Sequence, residues 1–245
     1  MNKDISTIQS TRTTAIVMQY LHPQDGPILE GGCGCGEHVA ALVNNNYHAI
    51  GIDSATKTVL AITRRSPRFD IRPGDIQAIP FPDDYFAGYL SLGVIEHFEG
   101  GYARALSEMR RVIKDDGYLF LAFPYMSPIR KIKSWIRAYP LWTNSKMPED
   151  FYQFALDVKS VVCDLRQLGF YLIQSLPMDN DNGLREELPS AHAWIGKLHA
   201  YKGKSILIRI LRRMATALAS TLSAHSVLLV LQKTPAPVVS TPQKH

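Results

Sequence analysis

After Glu187 the sequence contains no Asp or Glu, although Lys197, Lys202, Lys204, Arg209, Arg212, Arg213, Lys233 and Lys244 follow it. The whole chain of 245 residues has 27 Lys and Arg against 22 Asp and Glu, a net charge of +5. The excess therefore belongs to the C-terminal part, and residues 1–187 are mildly acidic. A one-sided basic region suits an anionic partner (phosphate, a membrane surface or nucleic acid) or is simply a solvated basic face. Cysteine is scarce: Cys33, Cys35 and Cys163 are an odd, low count that excludes a disulfide framework and fits a reducing cytoplasm. Cys33-x-Cys35 lacks the second Cys or His pair of a structural zinc site, so no metal is expected. Also missing are an internal repeat, a Gly/Ser-rich linker, and a basic stretch followed by an apolar run in MNKDISTIQSTRTTAIV, so no signal peptide is expected. The uncharged stretch Met214–Leu231 is diluted by Ser, Thr and His225 and reaches only the lower edge of membrane-spanning length.

What is present is ordinary for a folded chain: 46% hydrophobic and 20% charged residues, enough to bury a substantial core. A single domain is expected over residues 1–233, with a disordered tail at 234–245. The patterning predicts helices at 8–21, 37–45, 55–65, 102–113 and 157–168. It predicts strands near 28–29 and at 47–52, 68–72, 86–92, 118–123, 170–176 and 226–232. Strands alternating with helices of this length indicate βαβ units, hence an α/β, doubly wound, Rossmann-like, mostly parallel sheet. Ligands of such sheets bind at the carboxyl ends of the strands.

The richest segment is ILEGGCGCGEHV at 28–39, a glycine loop between a strand and a helix. A dinucleotide loop needs G-x-G-x-x-G. Counted from Gly32, its third glycine falls on Glu37, an acid that repels a pyrophosphate; counted from Gly31, the second falls on Cys33. No G-x-x-x-x-G-K-[ST] loop exists either.

The pattern present is acid-x-Gly-x-Gly-x-Gly from Glu30. It resembles the first motif of the class I S-adenosylmethionine-dependent methyltransferases. Asp53 in GIDSA, Asp75-Ile76 in GDIQAIPF, LSLGVIEHF at 90–98 and ALSEMRRVIKDDGYLFLAFP at 105–124 extend the resemblance over residues 28–124. It implies a seven-stranded sheet with the last strand antiparallel, and S-adenosylmethionine as cofactor with S-adenosylhomocysteine as product. Glu30 would face the ammonium end, and Gly32, Cys33, Gly34 and Gly36 the amino-acid part. Asp53, followed by Ser54, would accept the ribose hydroxyls. Asp75 would take the adenine amine while Ile76 packs on the ring, with Leu92 and Gly93 after strand four. Asp53 also suits a helix cap, and Asp75 a turn.

For methyl transfer to a hydroxyl, His97 is the candidate general base; its alternative is a structural histidine. The segment 124–156 is read as a lid or substrate insertion, with Tyr125, Trp135, Tyr139, Trp142, Phe151 and Tyr152 as aromatic walls or core. The expected partner is a small-molecule acceptor, such as a saccharide or lipid-linked intermediate. Nucleic acid is disfavoured because no Asn/Asp-Pro-Pro-aromatic motif follows strand four. Residues 179–224 hold an irregular segment and a basic amphipathic helix, 204–222, suited to covering the sheet or to peripheral contact with an anionic membrane. The alternatives left open are a donor-binding but non-catalytic partner subunit, an RNA methyltransferase and an NAD-dependent oxidoreductase. The sequence assigns no oligomeric state.

Overall fold

The computed structural model describes residues 5–136, 154–178 and 224–235. The chain divides into two compact units: Met1–Leu121, Val162–Gln174 and Leu229–His245 form one, Ala122–Val161 and Ser175–Leu228 the other. The elements in chain order are α1 (Arg12–Val17), β1 (Ile28–Gly31), α2 (Glu37–Asn44), β2 (Ala49–Asp53), α3 (Thr56–Arg65), β3 (Asp70–Pro73), β4 (Phe86–Leu92) and α4 (Ala103–Val112). They continue with β5 (Ile113–Pro124), α5 (Pro128–Trp135), α6 (Val158–Gln167), β6 (Phe170–Met178) and β7 (Ser226–Lys233).

Seven strands form one sheet in the order β3-β2-β1-β4-β5-β7-β6. β1 pairs in parallel with β2 and β4, and β2 with β3. β7 runs antiparallel: at one end the Tyr125 amide, just past β5, donates to His225 O, just before β7, at 3.3 Å. At the other end the Lys233 ammonium donates to Ile113 O, the first residue of β5. β6 starts where β7 ends, because the Thr234 amide donates to Gly169 O at 2.8 Å. The expected seven-stranded sheet, mostly parallel with the last strand antiparallel, is the one observed.

Burial follows strand position. β1 is buried along its length and β4 at every residue but Leu92, as suits central strands packed on both faces. The edge strands β3 and β6 expose much of their length. α4 buries Ala105, Leu106, Met109 and Val112 at helical spacing and ends in Arg110 and Arg111, which favour the negative end of the helix dipole. The order reverses between β1 and β4, so no crossover covers the gap between their carboxyl ends.

Two elements differ from expectation. The helix expected at 8–21 is only α1, Arg12–Val17. Thr11 and Thr14 close a reciprocal capping box that starts it late, and turns follow from Met18. β5 begins five residues earlier than the apolar run, at Ile113, and passes through Asp116 at φ 61°.

In the second unit, Ser127 caps α5 by accepting from the Arg130 amide at 3.4 Å. The buried Arg130 guanidinium donates to Tyr125 O at 3.2 Å and lies 2.9 Å from His225 Nδ1. Lys131 pairs with Asp157 at 3.1 Å. The rest of the lid expectation, including Tyr139, Trp142, Phe151 and Tyr152, lies outside the described residues, as do the irregular segment, the basic helix 204–222 and most of the tail. Among the described residues no helix is long and apolar enough to cross a membrane.

Lys233 is 1% exposed. Its ammonium meets Ile113 O and Asp84, with Asp115 at 3.5 Å. Replacing Lys233 by Ala strips a buried carbonyl of its donor and should cost about 2–4 kcal/mol in urea unfolding, whereas exposed Lys57→Ala should stay within about 0.5 kcal/mol.

Candidate functional site

β1 ends in Glu30-Gly31, and the chain then turns through Gly32, Gly34 and Gly36, at φ 75°, 50° and 74°, into α2. The Gly32 and Cys33 amides donate to Ile52 O at 2.8 and 3.1 Å, tying the turn to β2. A methyl group on Gly32 would collide with Val94, and one on Gly36 with Ile71. At Gly34 nothing stands within 4 Å. The loop is thus packed tight at its two ends and clear of other atoms in the middle.

Asp53, at the end of β2, does two things. Its Oδ2 accepts from the Gly34 amide at 2.8 Å, and its Oδ1 accepts from the Ala55 amide at 2.8 Å ahead of α3. The carboxylate is half-buried and retains acceptor capacity, since an ionised carboxylate offers about four lone-pair sites.

Glu30 is 3% exposed. Its Oε1 lies 3.0 Å from His38 Nδ1, in the first turn of α2. Its Oε2 is buried with no hydrogen-bond partner. Burial works against a charged His38 ring, but the hydrogen bond and charge of Glu30 outweigh it and hold the imidazole above its ordinary range. Three more buried side-chain atoms lack partners: the hydroxyls of Tyr89 and Ser91, and Oε2 of Glu96. Among the described residues these four are the complete set, and all belong to β1, to β4 from its middle onward, or to the 3-10 turn Ile95–His97 that follows. An unpaired buried polar atom is costly and rare, so four of them on β1, β4 and the turn after β4, the strands that meet where the sheet order reverses, mark a candidate ligand position. Burial pushes the Cys33 thiol up, aided by Glu30 and Asp53, so it is no thiolate nucleophile. Burial also raises the Tyr89 phenol and the Glu96 carboxyl, favouring their neutral forms.

Around this centre, Ser54 is exposed, Leu92 is half-buried, and Gly93 is exposed at φ 72°. Asp75 is exposed and its Oδ1 accepts from the Gln77 amide at 2.8 Å, the turn bond; Ile76 is buried. α4 holds the chain after Ile76. Glu108 accepts from the Ile79 amide at 2.7 Å, Arg104 donates to Gln77 O at 2.8 Å, and Arg111 donates to Phe81 O and Ile79 O at 2.7 and 2.9 Å. The Arg111 guanidinium keeps the Glu108 carboxyl below its usual range. His97 ends the 3-10 turn and is exposed. Tyr125 is half-buried in the second unit, and Phe151 and Tyr152 lie outside the described residues.

Sequence reasoning did not single out His38, Tyr89, Ser91 or Glu96. His38 had a findable signal, since the end of a strand and the first turn of the following helix are neighbours across the loop. Tyr89 and Ser91 had none, because a fully buried central strand gives no sign of which polar atom lacks a partner.

The glycine geometry separates two substitutions. Gly36→Ala carries both backbone strain and a clash and should lower stability by more than about 2 kcal/mol; Gly34→Ala carries strain alone and should cost about 1 kcal/mol, both read by urea unfolding.

Residues 29–121 match the methyltransferase domain family. A probable S-adenosylmethionine-dependent methyltransferase of Mycolicibacterium smegmatis is 33% identical over 97 residues, 40% of this chain and 37% of its own length. The probable tRNA methyltransferase 9B of Bos taurus is 33% identical over 107 residues, 43% of this chain and 23% of its own. The chain thus spans well under half the length of these curated relatives. Among solved structures, the [4+2]-cyclase SpnF superposes with a TM-score of 0.57 at 18% identity, covering 92% of this chain and 82% of that one, a likeness of fold alone. Glycine loop, acids and switch point stand inside the matched residues, so the similarity to the methyltransferase domain family falls on the segment that builds the candidate site.

Proposed function

We propose that the protein transfers a methyl group from S-adenosylmethionine to a small-molecule acceptor, a saccharide or lipid-linked intermediate. The observation that carries the donor reading is the buried, unpaired Glu30 Oε2 beside the glycine loop. An acceptor-only atom in a buried setting calls for a cationic donor, and the ligand's ammonium group is one. Glu37 in the first turn of α2 favours such a ligand over the pyrophosphate of a dinucleotide.

In this reading Glu30 takes the ammonium, Gly32, Cys33, Gly34 and Gly36 line the amino-acid part, and Asp53 with Ser54 takes the ribose hydroxyls. Asp75 accepts from the adenine amine and Ile76 packs on the ring, held by the α4 clamp. Leu92 and Gly93 border the site after β4. When bound, S-adenosylmethionine supplies an electrophilic methyl carbon on a sulfonium. The chain's own task is then alignment and exclusion of water, together with a base where the acceptor is a hydroxyl. His97 is that base in this proposal, next in sequence to the buried Glu96, whose carboxyl burial shifts toward its neutral form. Tyr125, Phe151 and Tyr152 are assigned to the acceptor side, and the basic segment 204–222 to an anionic acceptor or membrane surface. The single-domain organisation over 1–233 and a cytoplasmic location belong to the same proposal.

A second reading, an RNA acceptor, draws support from the likeness to the bovine tRNA methyltransferase 9B. The acidic balance of residues 1–187 and the absence of an Asn/Asp-Pro-Pro-aromatic motif after β4 count against it.

Calorimetry should show S-adenosylmethionine and S-adenosylhomocysteine binding and NAD failing to bind. Asp53→Asn should weaken the first two by roughly 10- to 100-fold, the worth of a charge-assisted hydrogen bond. Binding of NAD instead would reject the donor reading. A methyl-transfer screen over saccharide, lipid-linked and tRNA acceptors, read by product mass, decides the acceptor. Loss of turnover in His97→Gln at saturating donor, with donor affinity kept, supports the base; near-normal turnover removes it.

A further inference from the structure

Glu30 uses its two oxygens unequally. One is bonded to His38 at 3.0 Å; the other is buried and bonded to nothing. The imidazole is 26% exposed, so it can exchange its proton with solvent, while the carboxylate is 4% exposed and cannot be reached by water to the same degree. When protonated, His38 therefore offsets the buried carboxylate it is bonded to.

Other titratable groups around the pair come from several elements. Glu37 stands beside His38 on α2 and adds to its positive preference. Cys33 on the loop and Tyr89 on β4 both sense Glu30, and burial keeps both in their protonated forms. Asp53 closes β2, Arg12 is the charged residue of α1, and the 3-10 turn Ile5–Thr7, which packs on α2, has no titratable side chain.

We propose that His38 is a positioning residue for Glu30 and a competitor for its charge: the ring holds one carboxylate oxygen so that the other faces the site, and it yields its positive charge when the donor's ammonium arrives. This rests on the donor reading above. One carboxylate then serves two cations in turn. With His38 protonated, the arriving ammonium meets a carboxylate already neutralised and a like charge nearby. With His38 neutral, its Nδ1–H still orients Glu30 and the ammonium becomes the sole counter-charge. By linkage, ligand binding lowers the proton affinity of His38, and raising the pH strengthens ligand binding by the same factor. A fall of about one unit in the His38 midpoint corresponds to about a tenfold gain in affinity across the window between the bound and free midpoints.

The test uses the full chain and two probes. S-adenosylhomocysteine carries the ammonium; 5′-methylthioadenosine carries the adenosine and lacks the amino-acid end. Between pH 6 and pH 8, the affinity for S-adenosylhomocysteine should rise roughly 5- to 10-fold in the native protein, while that for methylthioadenosine should change less than about twofold. His38→Gln keeps a neutral hydrogen-bond donor, so it should bind S-adenosylhomocysteine with the rise reduced to less than about twofold. In parallel, the His38 ring resonances should titrate above the ordinary histidine range without ligand, lower with S-adenosylhomocysteine, and unchanged with methylthioadenosine. Glu30→Gln should lower the ligand-free midpoint. A native rise that persists in His38→Gln, or a His38 midpoint indifferent to S-adenosylhomocysteine, overturns the assignment while leaving the donor reading intact. Failure of both probes to bind at any pH removes the donor reading and the His38 role together.

Discussion

A buried carboxylate must find its positive charge and hydrogen bonds inside the protein, because solvation by water is denied to it. Glu30 is in that position at the end of β1, and much of the site is arranged around it. His38 meets one oxygen because α2 starts directly after the glycine loop. The loop is short because Gly32 and Gly36 permit left-handed turns where Val94 and Ile71 leave no space for a side chain. Asp53 holds the middle of that loop through the Gly34 amide, so β2 sets its height. The second oxygen of Glu30 is left buried without a partner, on one of the two strands between which the sheet order reverses. Unpaired buried atoms work against stability here, and those of Tyr89, Ser91 and Glu96 on β4 and the turn after it add to the cost at Glu30.

The fold was legible wherever periodicity and punctuation coincided. β4 begins and ends where the apolar run does, Phe86–Leu92, and α2 and α4 lie within a residue of their glycine and apolar signals. α1 was over-read because Leu21 and Ile8 continue an apolar spacing that the Thr11–Thr14 capping box interrupts. β5 was under-read because Asp115-Asp116-Gly117 has the composition of a turn, yet Lys233 and Gln232 bond that stretch to β7. In the site, the acids Glu30, Asp53 and Asp75 and the glycines were visible as a spaced motif. The partner of Glu30 and the buried atoms on β4 were not, since they depend on which side chains meet across the sheet. The α4 clamp on residues 77–81 is likewise not legible in the sequence, because nothing there shows that Glu108 and Arg111 meet that loop.

Fold and chemistry separate cleanly in this family of structures. A cyclase shares the architecture over most of the chain at 18% identity, so the sheet alone specifies no reaction. What narrows the reading is local: an acid whose free oxygen wants a cation, and a helix whose first turn carries Glu37 where a phosphate would otherwise sit. The matched family segment ends at residue 121, before the aromatic and basic sequences that the acceptor reading depends on. The proposed donor and acceptor assignments thus rest on different parts of the chain.

The placement of β7 between β5 and β6 has a consequence for how the molecule is made. β6 is synthesised some fifty residues before β7, yet in the finished sheet β7 is its neighbour. Until Ser226–Lys233 has left the ribosome, β5 presents an unpaired edge and β6 has no strand to join. The two halves of the sheet must therefore mature in different regimes. β1 to β4 can assemble from near neighbours as the chain emerges, while the far side waits for a late insertion that closes two edges in one step.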